Sequence, residues 1–182
     1  MSRGFLLSTL NPSEGGFVYN TDMNSYSTEI RDSIRSYLDS QEWKYAFDEQ
    51  YGCFYLNISL QGKPCKTKMV INISDAHYQV SASLVHPVPD ETLDDMRKVL
   101  NRINNDLLFG HFEVTDENEI RYRATVFLWQ HLPGNDMIRK SLLAPICAIS
   151  HYADLIADVR QGRMSADAAI NVLQTSKASR MN

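Results

Sequence analysis

The sequence has few of the features that mark secreted, membrane-spanning or nucleic-acid-binding proteins. Its three cysteines are an odd number without CxxC spacing, which argues against a disulfide framework. The longest apolar runs, Phe5–Leu7 and Leu142–Ile149, are too short to cross a bilayer, and the first is also too short for a signal peptide. A net charge of −4 lacks the basic footprint of a nucleic-acid-binding domain. We therefore expect a cytoplasmic protein that contacts neither membrane nor nucleic acid.

Catalytic motifs are also missing. The sequence contains no Gly-rich phosphate loop, no GxSxG and no HExxH. Cys147 and His151 lie four residues apart, but a tetrahedral metal site needs more ligands, which only His131 or His111 could add. A mid-helix cysteine also has no free backbone N–H groups for an oxyanion site. We predict no catalytic residues, no metal and no cofactor, and we do not expect an enzyme.

One acidic cluster has a simpler explanation than a cation site. Carboxylates are stabilised at a helix N-terminus by the macrodipole, and the cluster opens the predicted middle helix, at Asp90, Glu91, Asp94 and Asp95. We expect no metal there.

Alternating apolar residues predict four strands between residues 43 and 85. A two-residue turn at Gly62-Lys63 places Phe54 opposite Ile71, with the other apolar positions following in register. Pairing the strands in the same way across a loop at residues 74–77 and a turn near Gln50-Tyr51 places the alternating apolar residues of all four strands on one face. The predicted pairs are Leu60 with Cys65, Ile58 with Thr67, Leu56 with Met69, Ile73 with Tyr78, Ile71 with Val80, Met69 with Ala82, Phe47 with Phe54, Tyr45 with Leu56 and Trp43 with Ile58.

Helical periodicity fills the rest of the chain. It predicts helices near residues 27–40, 90–107, 136–161 and 165–174, and a second hairpin that pairs Phe112 with Tyr122 and Val114 with Ile120. The order α-β-β-β-β-α-β-β-α-α indicates an α+β fold, a curved antiparallel sheet with its helices packed on one face. We assign residues 1–24 to an N-terminal arm, 25–175 to a single domain and 176–182 to a frayed tail.

Several local phrases, in this order, resemble the YbjN family of bacterial sensory-transduction regulators. They are Trp43–Asp48, Leu100–Asn104, Phe109–Val114, Arg121–Arg123 and Gly162–Ile170, within a resemblance that covers about residues 26–175. That resemblance implies a fold similar to type III secretion chaperones, which are small dimers that hold other polypeptides. It implies a binding or regulatory role and carries over no catalytic residue.

Two surfaces follow from these patterns. The outer face of the sheet carries four cations among polar groups and is a candidate partner-binding face, with Tyr55, Asn57, Lys66, Lys68, Arg121 and Arg123. The back of the long helix is apolar and is a candidate homodimer contact, with Ala144, Cys147, Ala148 and Leu155. The leading hypothesis is a non-enzymatic, dimeric regulator or chaperone that binds a protein partner. The alternative is a small-molecule or anion sensor that uses the basic sheet face.

Overall fold

The computed structural model describes residues 6–8, 25–60, 66–129 and 131–178. Within these ranges, seven strands and four α-helices follow one another. They are β1 (Leu6–Ser8), α1 (Ser25–Ser40), β2 (Ala46–Asp48), β3 (Cys53–Ser59), β4 (Lys66–Ile73), β5 (His77–Leu84), α2 (Leu93–Asn104, after a 3-10 turn at Asp90–Thr92), β6 (His111–Val114), β7 (Ile120–Phe127), α3 (Asn135–Arg160) and α4 (Ala166–Ala178).

All strand pairs are antiparallel, and they form a single sheet in the order β1-β3-β4-β5-β7-β6. The short strand β2 pairs with β3 on the same side as β1, so the two cover successive parts of one edge. At the opposite edge β6 pairs with only half of β7, from Ile120 to Arg123. The α+β class and the antiparallel sheet predicted from the sequence are therefore confirmed.

The predicted registers hold across the middle of the sheet. Leu56 lies opposite Met69, Ile71 opposite Val80, and Phe112 opposite Tyr122, as the alternation requires. Phe47 also lies opposite Phe54, and their rings are 4.6 Å apart. The Gly62-Lys63 turn and the Leu60–Cys65 pair involve positions outside the described residues.

The first predicted strand is wrong in its extent. Trp43 and Tyr45 do not pair with β3, because the chain is still leaving α1 there: Glu42 has φ of 55° and the Trp43 N–H donates to Leu38 O at 2.9 Å. Leu7 of β1 takes the place opposite Ile58. The predicted element order thus lacked one strand, which the N-terminal arm supplies.

The helices cover one face of the sheet, as predicted. The buried side chains of α3 pack against β5 and β7, and α2 packs against β6. In one buried link, the Tyr78 hydroxyl and the Ser141 hydroxyl of α3 are 2.9 Å apart. By length and hydropathy α3 could also cross a membrane, but core helices of soluble domains share these properties. Pro145 lies inside this helix, and ten of the helix's residues are buried.

The helix ends differ in detail from the prediction. The middle helix begins with a 3-10 turn and ends at Asn104, earlier than the predicted residue 107. The last helix continues to Ala178, beyond the predicted residue 174, so part of the expected tail is helical. Gly162 follows the long helix with φ of 68°, the left-handed conformation expected of a residue after a helix C-terminus.

Candidate partner-binding surface

The outer face of the sheet brings the six predicted binding residues onto one surface. One row across the strands runs from Asn57 through Lys68 and Ser83 to Arg121. The next row runs from Tyr55 to Arg123, and Lys66 lies at the start of β4. The sequence therefore placed these residues correctly relative to one another.

The cationic character of this face is weaker than the sequence suggested. Glu113 of β6 accepts from both arginines through the same oxygen, at 2.6 Å from Arg121 Nε and 2.5 Å from an Arg123 terminal nitrogen. The side chain of Arg121 is only 13% exposed, so its charge is largely screened from a ligand. Lys66 and Lys68 form no ion pair with any described residue. The face therefore carries a smaller free positive charge than four cations imply.

Tyr55 and Cys53 lie on this outer face but are not reactive. Burial raises the pKa of the Cys53 thiol, which keeps it protonated near neutral pH. Burial, followed by the hydrogen bond with Cys53, raises the pKa of Tyr55. Both side chains therefore remain neutral over the physiological range, which is consistent with a packing role.

The predicted dimer contact on α3 is divided by the fold. Ala148 is buried within the core of the domain itself, while Ala144 and Leu155 are half-buried. Cys147 is exposed, and so is His151 one turn later. Only part of the apolar back of α3 is thus accessible on the domain surface, and the homodimer stays a prediction.

The acidic residues that begin the middle helix have structural partners. Asp95 Oδ2 accepts from the backbone N–H of Ala166 at 3.0 Å and so caps the start of α4. Asp90 accepts from the side chain of Asn118 at 2.9 Å. Within the described ranges, no three His, Cys, Asp or Glu side chains come together in a way that could hold a metal ion.

One edge of the sheet is left open where β6 ends. Backbone groups of successive residues in an antiparallel strand point alternately to its two neighbours. The Leu128 N–H donates to Ala76 O at 3.0 Å, so even-numbered positions of this segment face β5 and odd-numbered positions face β6. Because β6 ends opposite Arg123, the backbone groups of Thr125 and Phe127 point to an edge that no described strand covers.

The free side of β6 is closed by contrast. Phe112 points its backbone groups away from β7, and the Asn104 side chain meets both: Nδ2 donates to Phe112 O at 2.9 Å and Oδ1 accepts from Phe112 N at 2.7 Å. Gly110, with φ of 72°, precedes β6 and turns the chain there, so the residues before His111 do not continue the strand alongside Thr125. The opening along β7 therefore begins where β6 stops, and the outer side of β6 is itself capped by Asn104.

Large apolar side chains are exposed next to this opening. Of seven such residues in the described chain, four lie between residues 127 and 137: Phe127, Trp129, Leu132 and Met137. Trp129 is 81% exposed and Phe127 61% exposed, while Leu128 between them is buried. Leu108 and Phe109 are exposed in the turn that precedes β6. Exposed apolar groups concentrated in this way are typical of interaction sites.

The end of β7, the β4–β5 turn and the start of α1 together border a cavity of about 500 Å³, which is lined by Tyr26, Asp75, Ala76, Phe127 and Trp129. Asp75 and Ala76 form the tip of the β4–β5 turn, and Tyr26 belongs to the first turn of α1. The Tyr26 hydroxyl donates to His131 O at 2.9 Å, two residues after Trp129 in the sequence. We call these five residues the aromatic cavity.

Trp129 is also held in an unusual backbone conformation. Its φ is 44°, in the left-handed region that bulky residues seldom adopt. The His131 N–H donates to Leu128 O at 2.7 Å and closes the turn around it. Strained positions of this kind are concentrated at functional sites.

Sequence reasoning did not identify this site. The sequence patterns assigned no role to Phe127 or Trp129. The signal was present in Phe127-Leu128-Trp129, where the alternation of β7 continues past its pairing partner and must expose both aromatic residues if Leu128 is buried.

Comparison with known proteins establishes the family. Residues 31–144 match the YbjN family, described as "Putative bacterial sensory transduction regulator". Because the match covers more than half of the chain, this protein belongs to the YbjN family, as the resemblance had indicated. The matched range is shorter than the expected 26–175, but it includes β7, Trp129 and the start of α3.

A solved structure is also similar. It is described as "Crystal structure of YbjN, a putative transcription regulator from E. coli", and it shares 15% sequence identity with this chain. The alignment covers 66% of this chain and 89% of that one, with a TM-score of 0.49. No curated protein sequence matches the chain.

Proposed function

We propose that this YbjN-family protein is a non-enzymatic cytoplasmic regulator that binds an extended segment of a partner polypeptide along the open edge of β7. The observation that carries the proposal is the pair of backbone positions that no described strand covers, Thr125 and Phe127, directly beside exposed aromatic side chains. Strand addition supplies affinity through main-chain hydrogen bonds and specificity through alternate side chains. The chaperone-like role implied by the fold resemblance is part of the same proposal.

The contrast between the two sheet edges supports this choice. Open edges invite aggregation, and proteins usually shorten, cap or cover them. Here β3 is covered by two strands of three residues each, and the edge of β6 is capped by Asn104. The end of β7 lacks such cover among the described residues and carries Phe127 and Trp129 instead of charges.

Proline substitution tests strand addition at this edge. Peptides that bind the full chain are first selected from a random library, and their affinities are measured by titration calorimetry. Thr125→Pro removes the N–H that faces the opening but no backbone hydrogen bond to β5, so we expect a folded protein with at least ten-fold weaker peptide binding. It also removes the hydroxyl that accepts from Gln79 Nε2 at 3.2 Å, as does the control Thr125→Val. Thr125→Val keeps the N–H and should bind normally.

Two further variants complete the design. Ala124→Pro removes a backbone N–H that faces β5, so this variant should be strongly destabilised. Its loss of stability would confirm that even-numbered residues of β7 bond to β5 and odd-numbered residues face the opening. Trp129→Gly should remain folded, since the side chain is largely exposed, but should lose peptide affinity. Selected peptides that bind Thr125→Pro and Trp129→Gly as well as the unmodified chain would contradict the proposal, as would a failure of the Thr125 and Phe127 amides to gain protection from hydrogen exchange.

A second candidate function is anion sensing on the outer face. It is favoured by the Nε of Arg123, which is buried without a hydrogen-bond partner among the described residues, on the same face of the sheet as Lys66 and Lys68. The test is a thermal shift on addition of phosphate. Lys66→Ala with Lys68→Ala should remove any shift if this face is the site; a shift that persists in the double variant excludes it.

A further inference from the structure

We propose that the aromatic cavity recognises a cationic side chain, an arginine or a lysine, carried by the partner segment that adds to β7. This inference rests on the proposed function, and it specifies the chemistry of the partner. Three aromatic residues and one aspartate are among the described residues that line the cavity, Tyr26, Asp75, Ala76, Phe127 and Trp129, and none of these five is cationic. A guanidinium or ammonium group with an apolar stem complements this set of side chains.

The carboxylate of Asp75 is available to a ligand. The residue is exposed at the tip of the β4–β5 turn, where the Ser74 N–H donates to His77 O at 2.9 Å and closes the loop. Asp75 forms no salt bridge with any residue that the structure describes, although Asp32, Asp94, Asp106, Asp136 and Asp158 all do. A cation that entered the cavity would therefore gain a counter-ion without displacing another.

The rings of Phe127 and Trp129 do not stack face to face, so their faces stay accessible to a ligand. The centroids of Phe127 and Trp129 are 6.4 Å apart with planes tilted by 43°. His77 contacts Phe127 at 5.6 Å, also tilted, and is not part of the cavity lining. With Trp129 81% exposed, much of the indole surface is free to meet a ligand. Indole faces are the strongest aromatic partners for cations.

Position along the sheet connects the cavity to the open edge. Phe127 belongs to both, because its backbone groups face the opening and its ring lines the cavity. A strand added beside Thr125 and Phe127 continues toward Trp129 within two residues, about 7 Å along the strand. A long cationic side chain from that strand can therefore reach the cavity. Arginine fits better than lysine, because its planar guanidinium stacks on aromatic faces.

Matched small probes test the inference without a peptide. N-acetylarginine amide and N-acetylcitrulline amide have similar shapes, but only the first is charged. The readout is the fluorescence of Trp129 in the Trp43→Phe variant, which leaves one tryptophan; the indole N–H resonances of the unmodified chain give the same readout if that variant does not fold. We expect the arginine probe to bind about three- to ten-fold more tightly than the citrulline probe.

Removal of the carboxylate should abolish most of this preference. Asp75→Asn is expected to weaken the arginine probe about two- to five-fold and to leave the citrulline probe unchanged. Asp116→Asn, an exposed position in the β6–β7 turn, is the control and should change neither affinity. Equal binding of the two probes, or a preference that survives Asp75→Asn, would overturn the inference.

The same experiments separate the inference from the proposed function. If selected peptides lose affinity in Thr125→Pro but show no preference for arginine over citrulline, strand addition stands and the cationic anchor is rejected. If the probes show the preference but Thr125→Pro leaves peptide binding unchanged, the cavity is a cation site and the strand-addition proposal is rejected.

Discussion

The side-chain amide of Asn104 pairs with the backbone of Phe112 as another strand would. Its two hydrogen bonds, of 2.9 and 2.7 Å, satisfy the N–H and the C=O that face away from β7. Asn104 is the last residue of α2, so the bonds also fix how that helix meets the sheet. Replacement by alanine leaves two backbone groups without a protein partner.

We therefore expect Asn104→Ala to lower the free energy of unfolding by about 1 to 3 kcal/mol, measured by urea denaturation. The Phe112 amide should also exchange faster with solvent. Asn101→Ala changes the same residue type at an exposed position of the same helix and should be neutral or slightly stabilising. Equal stabilities of the two variants would show that the Asn104 bonds contribute little.

Two glycines with left-handed backbones provide a matched pair. At Gly110, with φ of 72°, an added Cβ would overlap the Tyr122 hydroxyl; at Gly162, with φ of 68°, its nearest neighbour would be 3.7 Å away. Gly162→Ala should cost about 1 to 2 kcal/mol from the backbone alone. Gly110→Ala should cost a further 1 to 3 kcal/mol, because the Tyr122 ring must move. Denaturant midpoints check this difference, and similar losses for both variants would contradict it.

Tyr122 makes stability depend on alkaline pH. Its side chain is buried, which raises its pKa to about 12, and its hydroxyl donates to Phe109 O. Because the folded state holds the proton more tightly than the unfolded state, this contribution is complete below pH 10 and is lost as the pH rises from 10 to 12. The loss amounts to roughly 2 to 3 kcal/mol.

The Tyr122→Phe variant isolates that contribution. Tyr37, Tyr45, Tyr55 and Tyr78 also have raised pKa values, so the unmodified chain and the variant should both weaken at high pH. The variant should weaken less between pH 10 and 12 when urea midpoints are compared. Parallel pH profiles would mean that Tyr122 titrates normally.

The carboxylate of Glu113 forms ion pairs with two partly buried arginines, Arg121 and Arg123. Glu113→Gln should lower the free energy of unfolding by about 1 to 2 kcal/mol, because Arg121 keeps its charge with little exposure to water. Lys140→Gln removes the exposed pair with Asp136 at 2.6 Å and should cost no more than about 0.5 kcal/mol. If both substitutions have the same small effect in denaturation experiments, the Glu113 cluster is only a surface contact.

The sequence alone determined the registers of the central strands. Alternation of apolar residues has a period of two, so a slip by one residue would move Leu56, Met69 and Ala82 together to the wrong face. The lengths of the turns between the strands then left only one way to pair them. The outer-face rows that contain Lys68 and Arg121 followed from the same parity, although their ionic partner Glu113 did not.

Only the tertiary structure decided the edges of the sheet, which is where the candidate site lies. Edge pairing is a competition between segments far apart in the chain, and Leu6–Ser8 rather than Trp43 pairs opposite the end of β3 without any periodic signal of its own. Likewise, the turn at Gly110 limits β6 to positions up to Arg123, so that no described strand covers Thr125 and Phe127. Local patterns fix which face a side chain takes; the open edge depends on which distant segment arrives there and where it turns away.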